Sequence, residues 1–200
     1  MLSFLPQDAK KILDVGCGAG EFGLLLKSRK DVEVWGIEKS DKAASSAKTK
    51  LNKVITADIE KDISALPPSY FDCIVFNDVL EHLIDPWGVL KNMADHLQEN
   101  GYIVASIPNM RYFYTFKDLM VKKEWTYVEE GVLDNTHLRF FTIKSIKDLF
   151  FKCGYRVLSI VGINGIDWSW KFNLLNHMLL GQINDMRYKQ FACIAQKIGK

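Results

Sequence analysis

The chain has 200 residues, 48% apolar and 25% charged, and its 26 basic and 24 acidic side chains leave a net charge of +2. These proportions suit one folded domain and exclude global disorder and a strong overall field for nucleic acid. No apolar run approaches the roughly 20 residues of a membrane-spanning helix, and the opening MLSFLPQDAKK is charged too early for a signal peptide. Cys17, Cys73, Cys153 and Cys193 are far apart, with no CxxC pair. That spacing argues against a zinc site or a disulfide framework, and for a reduced, cytoplasmic protein with no metal.

The first half alternates strand and helix patterns. Lys11–Val15 is a short apolar run ending in glycines, and 21–28 has helical character. Residues 32–38 (VEVWGIE) are β-branched and aromatic, as strands are. Residues 41–50 are rich in Ala and Lys and read as a helix that Ser40 or Asp41 can cap. Lys53–Thr56 is a short strand, and Phe71–Asn77 is a near-continuous apolar run, as expected of a strand covered on both faces. Residues 87–98 place apolar side chains at helical spacing, and Asn100-Gly101 is predicted to stop that helix before a strand at 102–107. Alternation of this kind predicts an α/β fold with right-handed crossovers and a parallel, doubly wound sheet with helices on both faces.

The second half is less regular. Pro108 ends the pattern, and the stretch to residue 141 is crowded with aromatics, among them Tyr112, Phe113, Tyr114, Phe116, Trp125 and Tyr127. A helix is expected at 145–152, and strands at 155–161 and 191–196. Between those strands, 162–190 form a long connection with Trp168, Trp170 and an apolar stretch at 174–180. The expectation is one domain over 1–200, with insertions at 108–141 and 162–190.

The strongest local signal is Asp14-Val15-Gly16-Cys17-Gly18-Ala19-Gly20, between a strand and a helix. Glycines there let the backbone turn sharply and approach a ligand, and the helix behind offers its N-terminal N–H groups. The same residues continue as GxGxxG through Gly23, with Glu38 twenty residues after Gly18, about where an acid binds a ribose in NAD enzymes. A nicotinamide-dependent oxidoreductase is therefore one reading, although Tyr112 and Tyr127 are not followed by a lysine four residues on. A non-catalytic scaffold is another.

Later residues separate these readings. With Asp14 two residues before Gly16, Glu38 ending the second strand, and Ala57-Asp58-Ile59 after the third, the chain resembles class I S-adenosylmethionine-dependent methyltransferases. The FD…LEHL pattern, from Phe71-Asp72 through Leu80-Glu81-His82-Leu83, resembles the subgroup that includes ubiquinone-biosynthesis-type O-methylases. The resemblance covers residues 11–107. It implies a Rossmann-like sheet whose last strand is antiparallel, with S-adenosylmethionine held at the strand ends. Asp14, Gly16, Cys17, Gly18 and Gly20 would form the loop beneath it. Glu38, with Lys39 beside it, would take the ribose hydroxyls. Asp58 and the Ile59 N–H would take the adenine, and Asn77, Asp78 and Val79 would lie near the methionine end.

Leu133-Asp134-Asn135-Thr136-His137-Leu138-Arg139-Phe140-Phe141-Thr142 resembles a THLRFFT-like segment of methyltransferases associated with sugar and polysaccharide synthesis. His137 and Arg139, two apart among aromatics, can present a base and a clamp to an acceptor. Equally, Leu138, Phe140 and Phe141 can anchor the insert, with Thr142 opening the next helix. His82 and His137 are the candidate bases, since a histidine near pH 6.5 is partly neutral at pH 7. His96 is expected late in a helix and His177 packed in an apolar segment. The aromatic insert is an acceptor lid, a homodimer surface, or surface packing. The expected partner is a small-molecule or glycan acceptor, with no strong signal for nucleic acid.

Overall fold

The computed structural model describes residues 1–199. Its centre is β1 (Lys11–Val15), buried at four of its five positions as the run Ile12–Val15 requires. β1 pairs in parallel with β2 (Glu33–Glu38) on one side and β4 (Phe71–Asn77) on the other. β3 (Lys53–Thr56) extends the sheet beyond β2, and β5 (Leu97–Pro108) extends it beyond β4, both in parallel. β7 (Tyr188–Lys197) runs antiparallel between β5 and β6 (Tyr155–Gly165). The seven strands therefore lie in the order β3-β2-β1-β4-β5-β7-β6. The expected α/β sheet is present, mostly parallel, with the last strand reversed.

The two-residue period of the strands sorts the core onto two faces. Leu13, Val15, Ile74 and Phe76 bury one side, and Ile12, Cys73, Val75 and Val104 the other. Helices α1 (Glu21–Leu26) and α2 (Asp41–Ala47) follow the first two strands, and the Ser40 hydroxyl caps α2 by accepting the Ala43 N–H. Both helices end earlier than their composition suggested. α3 (Pro86–Met93) starts with proline at its first turn and an Asp85 side-chain cap. The predicted helix over 87–98 is corrected here: its last turn is gone, and Leu97 already belongs to β5. Asn100-Gly101 does not stop a helix. Asn100 takes a left-handed φ of 61° inside β5, where the register against β4 jumps, so the pair forms a bulge. His96 accordingly lies in the turn, its Nδ1 3.1 Å from the Pro67 carbonyl.

After Pro108 the chain makes α4 (Phe113–Lys117), a wide π-type turn (Asp118–Lys122), and an extended passage to Thr142. Thr142 and Ser145 form a reciprocal capping box on α5 (Ile143–Lys152), which buries Ile146, Leu149 and Phe150. The second connection contains α6 (Trp170–Met178). Its His177 is exposed, not packed as expected. The connections meet where Asn109 Nδ2 donates to the Asp185 and Tyr188 carbonyls and Arg111 pairs with Asp185 at 2.9 Å. Among the described residues no helix is long and apolar enough to cross a membrane.

Candidate active site

Because the chain goes out from β1 to β3 and then returns to place β4 against β1, a crevice opens at the carboxyl ends of these strands. A cleft of about 650 Å³ occupies it, within the usual range for cofactor sites. It is lined by the ends of β1 (Val15, Gly16), β2 (Glu38, Lys39) and β4 (Asn77, Asp78, Val79), with Asp58 and Ile59 from the loop after β3. The structure thus gathers eight of the twelve residues expected around the cofactor: Gly16, Glu38, Lys39, Asp58, Ile59, Asn77, Asp78 and Val79. Four others act from behind the wall.

The glycine turn shows why. The Gly16 and Cys17 N–H groups both donate to the Ile37 carbonyl, at 2.8 and 3.1 Å, which folds the turn over β2. Gly16 has φ +67°, and a Cβ there would lie 2.8 Å from Val79 Cγ2, so only glycine leaves the floor open. Gly18 donates its N–H to Glu38 Oε2 at 3.0 Å, while Glu38 Oε1 accepts the Ser40 N–H at 2.8 Å. One carboxylate thereby joins the turn to β2 and keeps lone pairs for a ligand. Gly20 starts α1 against Ala47, where a Cβ would meet the Ala47 Cα at 3.0 Å. Cys17 is buried, its sulfur turned toward Gly36 and the core. Asp14 lies beneath the floor with Oδ2 unpartnered; burial, then Glu38, pushes its carboxyl up to about 7. Asn77 Oδ1 is likewise buried without a partner. A cradle that a Cβ would fill and two orphaned acceptors around it fit a bound nucleotide-type group.

A second cavity of about 350 Å³ adjoins the cleft, and Asp78 and His82 line both. The rest of its wall includes Glu81, Glu130, Asp134, His137, Lys189 and Gln190. Asp78 sits at a left-handed φ of 53°. Its Oδ1 accepts from the Ser106 hydroxyl at 2.9 Å and from Gln190 Nε2 at 2.8 Å. His82, on the 3-10 turn Leu80–His82, contacts Thr136 Oγ1 through Nδ1 at 3.0 Å. Thr136 Oγ1 already donates to Asp134 Oδ1 at 2.6 Å. The Nδ1 of His82 is therefore the donor, and its Nε2 carries the free lone pair. His137 Nδ1 faces the Val132 carbonyl at 3.1 Å, so its Nε2 is also an acceptor; burial holds its pKa below the ordinary histidine range. The two rings meet edge to face, 4.7 Å between centroids.

Glu81 is the residue that sequence reasoning did not single out. It is 1% exposed, neither carboxylate oxygen has a hydrogen-bond partner, and Oε1 lies 3.9 Å from His137 Nε2. Burial, seconded by Asp78 and Asp134, pushes its carboxyl up to about 8. Its backbone carbonyl accepts the N–H groups of Leu138 and Arg139 at 2.8 and 2.9 Å. The 3-10 turn and the Thr136–Arg139 segment are thus one unit. Glu81, His82 and His137 bring three potential donor atoms within 4.8 Å of one another. Such a group can share protons or receive a cation. Arg139 lines neither cavity: its guanidinium donates to the Ile84 carbonyl from Nε at 3.2 Å and from Nη2, and lies near the Trp87 ring.

Comparison with known proteins shows the family and the fold. Residues 2–160 match the family model described as "Methyltransferase domain". A ubiquinone biosynthesis O-methyltransferase of Cereibacter sphaeroides is 27% identical over 177 residues, covering 84% of this chain and 70% of that protein. The protein of the same name from Nitrosomonas europaea is 33% identical over 105 residues, 50% of this chain and 44% of its own. Among solved structures, a SAM-dependent methyltransferase from Archaeoglobus fulgidus superposes with a TM-score of 0.69 at 21% identity, covering 96% of this chain and 87% of that one. At that identity the superposition shows a shared fold.

Proposed function

The chain belongs to the methyltransferase domain family, and from that premise we propose that it uses S-adenosylmethionine to methylate a hydroxyl group of a small polar molecule or of a sugar or glycan precursor. The observation that carries the proposal is His82, the one imidazole lining both cavities, with Nδ1–H bound to Thr136 and Nε2 free. In this reading the cleft between β1 and β4 takes the cofactor. Glu38 accepts the ribose hydroxyls, Asp58 and Ile59 meet the adenine, and Asn77, Asp78 and Val79 face the methionine end. The relatives' name, an O-methyltransferase, favours oxygen as the acceptor atom.

The bound cofactor supplies an electrophilic methyl group on a sulfonium, which leaves as a neutral thioether. The protein aligns the acceptor oxygen and removes its proton. Alignment contributes about 7–11 kcal/mol in favourable cases. We assign proton removal to His82 Nε2, with His137 and Thr136 holding its ring. Arg139 is a positioning residue, since it holds the Ile84 carbonyl and not the acceptor. Asp78, Glu130 and Asp134 border the acceptor cavity as carboxylates and Glu81, pushed up to about 8, as a largely protonated acid, with Lys189 the single Lys or Arg of its lining among the described residues. Such a lining repels an anionic acceptor and suits a hydroxyl-rich neutral one. The two connections, 108–141 and 162–190, form the acceptor lid in this reading. The four free, buried cysteines suit a reducing compartment, and we assign the reaction to the cytoplasm.

The test is methyl transfer from labelled cofactor to a panel of neutral hydroxylated acceptors. His82→Ala is expected to lower turnover about 10²–10⁴-fold, with S-adenosylhomocysteine affinity changed only a few-fold. Glu38→Ala is expected to weaken that affinity at least tenfold. Wild-type turnover in His82→Ala would remove this residue as the base.

A further inference from the structure

The connection between β6 and β7 is built inside out. α6 has no buried residue. Its half-buried positions are Phe172 and Asn176, one turn apart: Phe172 packs on Phe113 at 4.6 Å between centroids, and Asn176 Oδ1 accepts the Ile183 N–H. The outward stripe is Trp170, Lys171, Leu174, Leu175 and Met178, with Trp170 70% and Met178 71% exposed. The helix ends in Leu179-Leu180, and Leu180 is 89% exposed. A polar residue thus faces inward where apolar ones face water, the reverse of a helix made only to cover a core.

Leu180 adds a second observation. Its φ is 51°, a left-handed conformation that glycine or asparagine normally supplies at a helix end. A leucine held there is strained, and the strain displays its side chain and does not bury it. Charge supplies the third. No Asp or Glu occurs from 168 to 184, while Lys171 lies in the outward stripe. The neighbouring α4 and the turn after it carry Lys117, Lys122 and Lys123, with Met120 and Val121 exposed among them; Lys122 is paired with Asp118.

We propose that α6 and the Leu179-Leu180 tip dock on the surface of a lipid bilayer, lying in the interface without crossing it. An apolar stripe with tryptophan at one end and lysine as its only charge suits the boundary between headgroups and acyl chains. Lys171, with Lys117 and Lys123 on the neighbouring elements, complements anionic headgroups, while Lys122 is taken up by Asp118 and Glu124. A second copy of the chain fits less well. A twofold contact sets the same patch against itself, and the exposed acid nearest the stripe, Asp167, lies before the helix and 4.0 Å from Arg187. Docking there would bring the acceptor side of the molecule toward the membrane, because the two roots of the same connection, Asn164 on one side and Lys189 and Gln190 on the other, line the acceptor cavity.

The test is flotation of the full chain with vesicles of phosphatidylcholine mixed with phosphatidylserine, alongside measurement of its oligomeric state. The wild type is expected to float with the vesicles. Met178→Gln combined with Leu180→Asn is expected to lower the partition coefficient about tenfold or more, from lost apolar insertion. Leu180→Asn alone is expected to melt at the wild-type temperature or above, since asparagine tolerates the left-handed backbone. Affinity for S-adenosylhomocysteine should stay unchanged in both variants. No flotation of the wild type overturns the proposal, as does undiminished flotation of the double variant. A concentration-dependent dimer that the double variant dissolves, without vesicle binding, would assign the surface to a second copy instead.

Discussion

Gly16 carries two constraints at once, its φ of +67° and the 2.8 Å approach to Val79 that a Cβ would make. Gly16→Ala is expected to cost about 1–3 kcal/mol of stability, measured by urea unfolding. Adding Val79→Ala should recover the contact share and leave the backbone share. A Gly16→Ala chain as stable as the wild type would mean that the turn relaxes freely. Buried acids give the second prediction at this scale. Glu81 is pushed up to about 8 and Asp14 to about 7, both chiefly by burial. Each binds its proton more tightly folded than unfolded. Their contribution to stability is therefore full below the ordinary carboxylate range and is lost as pH rises toward 7 and 8. His137, lowered by burial, acts oppositely: its contribution is full above about 6.5 and is lost at lower pH. Unfolding free energy should then fall from pH 6.5 to 7.5, by up to about 1.4 kcal/mol per pH unit for Glu81 alone. Glu81→Gln should flatten that slope, and an unchanged slope would show that Glu81 is not the titrating group.

At the scale of elements, the 3-10 turn Leu80–His82 and the segment Thr136–Arg139 are held together by backbone, hydroxyl and guanidinium contacts. Arg139 closes the far end of this seam on the Ile84 carbonyl, and Ile84 lines the cleft at the ends of β1, β2 and β4. Arg139→Ala is expected to speed amide exchange over 82–86 and to weaken S-adenosylhomocysteine binding several-fold, with little change in global stability. Exchange at the wild-type rate would place the seam's strength elsewhere. The capping box of Thr142 and Ser145 fixes where α5 starts, and so where this segment must end.

For the whole molecule, the cleft draws on the ends of β1, β2 and β4, on the loop after β3, and on Thr136 and Leu138 from the insert, so ligand binding and folding are linked. S-adenosylhomocysteine at a hundred times its dissociation constant should stabilise the native state by about 2.7 kcal/mol. A chain of 200 residues should then melt roughly 5–10 °C higher. NAD at equal concentration should leave the melting temperature unchanged; a shift with NAD alone would contradict the cofactor assignment.

Much of this was legible in the primary structure, wherever short-range physics decides. The extents of β1, β3 and β4, a cap at Ser40 or Asp41, and the glycine turn all follow from side-chain period, turn chemistry and backbone sterics within a few residues, whereas the bond from the Gly18 N–H to Glu38 came only with the fold. Asn100-Gly101 misled because a helix stop and a bulge use the same left-handed backbone, and only the partner strand β4 chooses between them. Tertiary structure alone decided which groups meet. Asp78 is held by Ser106 and Gln190, 28 and 112 positions away, and His82 by Thr136, 54 away. Glu81 gained its raised pKa from burial beneath the insert, and Arg139 and Cys17 turned away from the cavities that their neighbours line. Local sequence sets the course of the backbone through sterics and hydrogen-bond periodicity. The direction of a side chain across a cleft, and the dielectric around it, depend on packing between segments that no local pattern encodes.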